Sequence, residues 1–432
     1  MDSVKLIKNT FIVEDEKSFI VFSPFTGKIT RVKTFPNQGT ILFSELSNNG
    51  FFGNMPGSTK RDDLLTWNGF RSLTLLVTRR CNLLCSYCYA GAKQDGDSMS
   101  LNLAVDALRW FYNQLRDDTL RISFHGGGEP TLEMDLIREI VLRARALSQN
   151  GNKKLRLSIV TNGTADEGVM SQFVDDGFSI SISADGPPDI QNKNRPFADG
   201  SPSSEKIERT IGYLVSRRHP FTIRITYSAT EELSRIVEYF GELGVKSLHI
   251  EALFPFGREY RSDLSLKNGR KEIVPLGDVF IKSFLSGMDV AKKFGIKITN
   301  SHLGHLLKGL GYFCGSASGR SMIVTHDGFI SGCLEVVDSN DQDFRIFKLG
   351  EFTPSLHSFV LDKDVLKKFQ DRHSNNLSPC KNCFARYVCA GGCAVKAVRN
   401  SGCLMTRDIS YCLFTKRLLP AVIKRIAILS NV

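Results

Sequence analysis

Arg80-Cys81-Asn82-Leu83-Leu84-Cys85-Ser86-Tyr87-Cys88-Tyr89 is the stretch from which the rest of this 432-residue chain can be read. It sets three cysteines at C-x3-C-x2-C spacing directly after the apolar run Leu73 to Val77. Soft thiolate sulfur selects iron-sulfur clusters, zinc or copper(I), and three ligands leave the fourth iron of a cubane open to a non-protein ligand.

Outward from this loop, strands and helices alternate. Apolar patterning predicts strands at 72–77, 119–124, 154–160, 178–183, 220–227 and 246–251. Helices are expected between them at about 101–116, 133–147, 166–176, 203–217 and 231–243, and a longer one at 275–294. Repeated βα units imply an α/β fold with a parallel sheet, and six such strands suit a partial (β/α)6 TIM-like barrel. In the first helix Ala104, Ala107, Leu108, Phe111, Tyr112 and Leu115 form one apolar face, with Asp106 and Arg109 expected to point outward. Chemistry in parallel α/β sheets gathers at the carboxyl ends of the strands, and the cysteine loop follows the first strand.

Residues 1–70 read as a short β-rich segment: a strand at Ser18–Phe22, a turn at Ser23–Gly27, a second strand and a helix near Thr40–Leu46. Such a hairpin could dock a peptide or cover the edge of the next domain. Gly50–Asp63 has the composition of a linker. The domains expected are therefore 1–70, 71–300 for the barrel and 301–432 for a cysteine-rich tail.

The eleven cysteines fall in two places, three at 81–88 and eight between Cys314 and Cys412. An odd, clustered set without an export signal points to metal binding in a reducing compartment, the cytoplasm, and away from a disulfide framework. No apolar run approaches the roughly 18 residues of a membrane span. The net charge of +11 is spread along the chain; coordinated thiolates offset part of it, and no basic patch interleaved with aromatics suggests nucleic-acid binding.

The triad after the first strand resembles that of the radical SAM superfamily, and further motifs agree. His125-Gly126-Gly127-Gly128-Glu129-Pro130 follows the second strand and is similar to the element that binds the amino group of S-adenosylmethionine there, implying roles for Gly127, Gly128 and Glu129. Thr161-Asn162-Gly163-Thr164 and Ser181-Ile182-Ser183-Ala184-Asp185-Gly186-Pro187 also resemble segments of the peptide-modifying branch, where Ser183 would lie near the cofactor. Arg224 has the donor fork suited to the S-adenosylmethionine carboxylate, or is neutralised by a neighbouring acid. His249 and Glu251 are pocket candidates without an assigned role.

The tail reads Cys314-x13-Gly328-x4-Cys333, then Cys380-x2-Cys383-x5-Cys389-x3-Cys393, with Cys403 and Cys412 beyond. By spacing alone it could be a zinc ribbon. It resembles the SPASM extension of radical SAM enzymes. That resemblance implies one auxiliary cluster on Cys380, Cys383, Cys389 and Cys412 and another on Cys314, Cys333 and Cys393, which Cys403 could complete. The implied cofactors are S-adenosylmethionine and three [4Fe-4S] clusters, one of them binding S-adenosylmethionine.

What the resemblance implies is a cytoplasmic maturase. S-Adenosylmethionine is cleaved reductively to a 5'-deoxyadenosyl radical, which abstracts hydrogen from a ribosomally made precursor peptide or protein. A flavodoxin- or ferredoxin-type donor supplies the electron. An anaerobic sulfatase maturase, forming formylglycine, shares this layout, but that family has an aspartate directly after the second tail cysteine. Here Leu334 follows Cys333, and Glu335 is the candidate base. A non-catalytic iron-sulfur electron-transfer protein and an RNA-modifying enzyme are the readings from other classes.

Overall fold

The computed structural model describes residues 4–7, 10–24, 26–52, 69–228, 231–253, 273–304 and 311–432, leaving aside the side chains of 273–276, 303 and 304. The expected linker lies outside the described residues from 53 on, as does the mixed-charge stretch Arg258–Arg270.

The N-terminal segment builds more than a hairpin. Strands β1 (Val4–Ile7), β2 (Thr10–Asp15), β3 (Ser18–Ser23) and β4 (Lys28–Val32) form an antiparallel meander. Helix α1 (Ile41–Asn48) follows the Thr40 cap, whose hydroxyl accepts from Phe43 N–H at 3.2 Å. Phe11-Ile12-Val13 is apolar without alternation because both faces of this sheet are covered. Phe11, Val13, Ile20 and Phe22 pack with Tyr411, Leu419 and Ile423 near the C-terminus. Val21 packs on the other side with Phe43, Leu46, Phe51 and Phe52. The segment thus seats on the tail rather than on the edge of the βα array.

From residue 72 the expected alternation appears. Strands β5 (Ser72–Leu75), β6 (Thr119–Phe124), β7 (Lys154–Thr161), β8 (Ser179–Ser183), β9 (Phe221–Tyr227) and β10 (Ser247–Ala252) pair in parallel in that order. They alternate with α2 (Leu101–Gln114), α3 (Met134–Asn150), α4 (Glu167–Asp175), α5 (Pro188–Asn194), α6 (Ser204–Ser216) and α7 (Leu233–Glu242). Helix α8 (Ile273–Phe294) leads to β11 (Lys297–Thr299), a seventh parallel strand beside β10.

At the opposite end of the sheet, β12 (Ser321–Val324) pairs in parallel with β5, and β13 (Phe329–Ser331), β14 (Lys348–Thr353) and β15 (Ser358–Leu361) follow antiparallel. One ladder of eleven strands therefore runs from barrel to tail. The described tail ends with α9 (Lys363–Asp371), α10 (Ala394–Ser401) and α11 (Ile409–Leu429). Among the described residues no helix is long and apolar enough to cross a membrane.

Strand alternation assigns the two faces of the sheet. Ile182, Ile223, Ile225, Leu248 and Ile250 are buried in the apolar core, while Ser183, Arg224, Thr226, His249 and Glu251 occupy the other face. One expectation is overturned. Asp106 does not point outward but is buried, because β15 packs across α2 and brings Trp110 against Phe359 with ring centres 5.8 Å apart. The Asp106 carboxylate is met by His357 Nδ1 at 2.8 Å and Arg109 Nη1 at 3.2 Å, so burial does not leave it uncompensated.

Candidate cofactor and cluster site

The cysteine loop is held by backbone bonds from three directions. Cys81 N–H donates to Lys93 O at 2.8 Å, Leu84 N–H to Pro196 O at 2.8 Å, and Ser86 N–H to Asn194 O at 3.0 Å. From the second strand's turn, Glu129 N–H donates to Arg80 O at 2.7 Å. That approach explains the glycines. A Cβ on Gly128 would sit 2.0 Å from Arg80 O, and one on Gly127, where φ is +76°, would sit 2.7 Å from Thr78 O.

Glu129 is buried, and its carboxylate is largely committed to the protein. Oε1 accepts from Thr131 N–H (3.1 Å), Thr131 Oγ1 (2.8 Å) and Thr161 Oγ1 (2.6 Å), and Oε2 from Asn162 N–H at 2.6 Å. Burial raises its pKa against these donors. The residue ties the end of β7 to the glycine turn, and Oε2 keeps acceptor capacity for an ammonium. Asn162 then reaches back, donating from Nδ2 to Asn82 Oδ1 at 2.8 Å, with Cys81 Sγ at 4.0 Å. The Thr161–Thr164 motif is therefore a lock on the cysteine loop. Burial, and next the Glu129 charge, push the Cys81 thiol up to about 12.

A second lock was not anticipated from sequence. Asp185, 1% exposed, accepts from Tyr87 OH, from Asn194 Nδ2 at 3.2 Å and from Thr226 N–H at 3.2 Å. Arg195 lies 3.1 Å from its Oδ1 and covers the Tyr87 ring at 5.2 Å. Tyr87 lies between Cys85 and Cys88 in sequence, so this network sets the direction of the loop's last turn. The only sequence signal was that Asp185 belongs to the segment after the fourth strand.

Sheet register gathers the remaining candidates. Ser183, Arg224, His249 and Thr299 stand side by side on β8 to β11. His249 contacts Thr299 Oγ1 from Nδ1 and Glu251 Oε1 from Nε2, both at 3.0 Å. Glu251 also accepts from Ser301 N–H at 2.5 Å. Burial raises the Glu251 pKa, but the His249 hydrogen bond and charge outweigh it and bring the group down to about 2. Among the described residues the Arg224 guanidinium makes no hydrogen bond or ion pair, and burial lowers its pKa while the Glu251 charge opposes that. His125 is held neutral, its pKa lowered to about 4 by burial and then by the Arg224 charge, and its Nδ1 has no hydrogen-bond partner.

In the tail, Cys380, Cys383, Cys389 and Cys412 line one pocket, with Arg386, Arg407 and Lys416 among its walls. Among the described residues no three such side chains converge closely enough to chelate one metal ion. Four free thiols around a pocket with a cationic rim suit an anionic thiolate-ligated cluster. Burial, and after it the Thr415 hydroxyl and the other three thiols, govern Cys389, whose pKa rises to about 12. Cys314, Cys333 and Cys393 form the other group, acting electrostatically on one another. Their neighbour is Glu335, which Arg399 Nη1 holds at 3.1 Å.

Cys403 does not join them. It is exposed beyond the left-handed cap Gly402, with its N–H on Ser401 Oγ at 3.3 Å, and it is not among the main charges acting on the other thiols of the group. The helix-ending turn carries it outward.

Comparison with known proteins agrees with this geometry. Residues 75–255 match the radical SAM superfamily. The chain carries a radical SAM domain and is homologous to the anaerobic sulfatase maturases, which marks it as an enzyme. It is 28% identical over 352 residues to the cysteine-type anaerobic sulfatase-maturating enzyme of Clostridium perfringens, covering 74% of this chain and 88% of that one. It is 33% identical over 196 residues to an uncharacterized protein of Methanocaldococcus jannaschii, covering 45% of this chain and just under two thirds, 66%, of that one. Among solved structures, anSMEcpe with bound AdoMet and Cp18Cys peptide superposes with a TM-score of 0.65 at 20% identity, over 84% of this chain and 100% of that one. Streptococcus suis SuiB bound to its precursor peptide SuiA gives 0.57 at 12% identity, over 95% and 100%. The family implies S-adenosylmethionine and a [4Fe-4S] cluster as cofactors.

Proposed function

We propose that this chain is a peptide or protein maturase in which Cys81, Cys85 and Cys88 hold the cluster that binds S-adenosylmethionine. The observation that carries this is the double lock on the cysteine loop, by Glu129 with Asn162 and by Asp185 with Tyr87 and Arg195. Bound there, S-adenosylmethionine supplies hydrogen-atom abstraction after one-electron reductive cleavage. The protein's part is to hold it. The carbonyls of Gly127 and Gly128 and the spare acceptor of Glu129 receive its ammonium, and Arg224 beside Ser183 receives its carboxylate.

In this reading 71–300 is the barrel, 301–432 a SPASM tail and 1–70 an accessory module seated on that tail. Cys380, Cys383, Cys389 and Cys412 hold one auxiliary cluster. Cys314, Cys333 and Cys393 hold a second, with Glu335 rather than Cys403 beside the remaining position. Substrate oxidation would release one further electron and a proton; the tail cysteines would hold the clusters able to accept the electron, and Glu335 is the candidate for the proton. The relatives solved with peptides support a peptide substrate, and a flavodoxin- or ferredoxin-type donor in the cytoplasm suits the reductive step.

Formylglycine formation is the second reading, favoured by the homology with sulfatase maturases and disfavoured by Leu334 after Cys333. Anaerobic reconstitution with S-adenosylmethionine and dithionite tests both. We expect 5'-deoxyadenosine from the wild type and none from C85A. A candidate precursor peptide encoded beside the gene should lose two hydrogens. Conversion of a sulfatase peptide instead would favour the second reading, and turnover of a sugar or nucleoside alone would exclude both.

A further inference from the structure

Between the two groups of tail cysteines lies a cation that the proposed function leaves unused. Arg372, which closes α9, is 1% exposed and among the largest fully buried side chains. Among the described residues its guanidinium donates only to backbone carbonyls: Nε to Leu404 O at 2.8 Å, Nη1 to Gly392 O at 3.1 Å, and Nη2 to Gly391 O at 3.3 Å and Thr406 O at 3.1 Å.

No described carboxylate forms an ion pair with Arg372. Asp408 feels its charge, but the hydrogen bonds to the Asp408 carboxylate come from the Tyr411 and Ser410 N–H groups and Asn400 Nδ2. A buried guanidinium facing only neutral carbonyls is costly unless an anion compensates it. The groups that would act on it most as thiolates are Cys393 and Cys314 from one cysteine group and Cys389 and Cys380 from the other.

The backbone is shaped to deliver this charge to both. In Cys389-Ala390-Gly391-Gly392-Cys393, which joins the two groups, the three middle residues are all left-handed, with φ of 50°, 80° and 77°. Two of the four carbonyls that Arg372 grips come from this turn. A Cβ on Gly391 would fall 2.3 Å from Leu377 Cδ1, so the turn is fixed by close packing.

We propose that Arg372 is the shared counter-charge of the two auxiliary sites, raising the reduction potentials of both clusters together. The inference rests on the auxiliary-cluster assignment above. A cluster with thiolate ligands gains a further negative charge on reduction, and a fixed cation in a low-dielectric interior stabilises that form more than the oxidised one. Arg372 is a positioning residue that acts on substrate only through the clusters.

The test uses the full chain with C81A, C85A and C88A combined, so that only auxiliary clusters remain. Iron content and EPR-monitored redox titrations are compared for this parent, for R372Q and for R372K. R372Q should keep its iron while both auxiliary signals move to more negative potential, and R372K should stay near the parent. Should R372Q shed iron, retention of both iron and parental potentials by R372K would still support the charge role. Unchanged potentials in R372Q, or equal shifts or iron loss in both variants, would overturn it and leave Arg372 a clip for carbonyls. A parent that takes up no iron would overturn the auxiliary-cluster assignment itself, and the inference with it.

Discussion

The two cysteine regions differ in their electrostatics. Around Cys81–Cys88 the loop is fixed by carboxylates: Glu129, whose charge reaches Cys81, and Asp185, already paired with Arg195. Around Cys380 and Cys412 the prominent partners outside the group are cations, Arg407 and Lys416 on Cys412 and Arg407 and Arg372 on Cys380, whereas Glu335 acts ahead of Lys396 on Cys393. Negative surroundings disfavour adding an electron and positive ones favour it. The first region is thereby suited to giving up an electron at low potential, and the Cys380 and Cys412 group to accepting one.

The largest expected effect separates the tail cysteines. C393A should lose about one cluster's worth of iron, roughly four atoms per chain, whereas C403A should leave iron content unchanged. Iron loss in C403A would place that thiol in the second group despite its exposure and weaken the contrast drawn here.

D185N probes the first region. Removing the charge leaves Arg195 buried without its anion, a change that costs about 3–5 kcal/mol in comparable sites. We expect a lower unfolding midpoint and slower 5'-deoxyadenosine formation, with the auxiliary EPR signals unmoved. Equal disturbance of the tail signals would mean that the regions are not independent.

Much of the barrel was legible because each βα unit carries its own periodicity, as in Leu136, Ile137, Ile140 and Val141 of α3. The cysteine groups were legible because their spacing is local. What escaped was set by distant partners. Asp106 is covered by β15 from about 250 residues away, and β12 pairs with β5 across a similar gap. Arg372 meets carbonyls contributed by residues 391–406, which no spacing rule marks as acceptors. Cys403 shows the converse: it is near the other thiols in sequence, but Gly402 turns the chain outward.

The smallest effect concerns pH. Glu251 falls from 4.5 to about 2 on folding, so its contribution is complete above pH 4.5 and is lost as pH falls toward 2, at most about 3 kcal/mol in all. Urea unfolding of the apoprotein between pH 5 and 3 should show this slope. E251Q should flatten it, and an unchanged slope would remove Glu251 from the account.

The contrast between the regions is tested most directly by one EPR-monitored redox titration of the wild type, with the C81A/C85A/C88A protein identifying the auxiliary signals. The cluster on Cys81, Cys85 and Cys88 should be reduced at more negative potential than the tail cluster on Cys380, Cys383, Cys389 and Cys412. A first cluster that fills with electrons before that tail cluster would contradict the account.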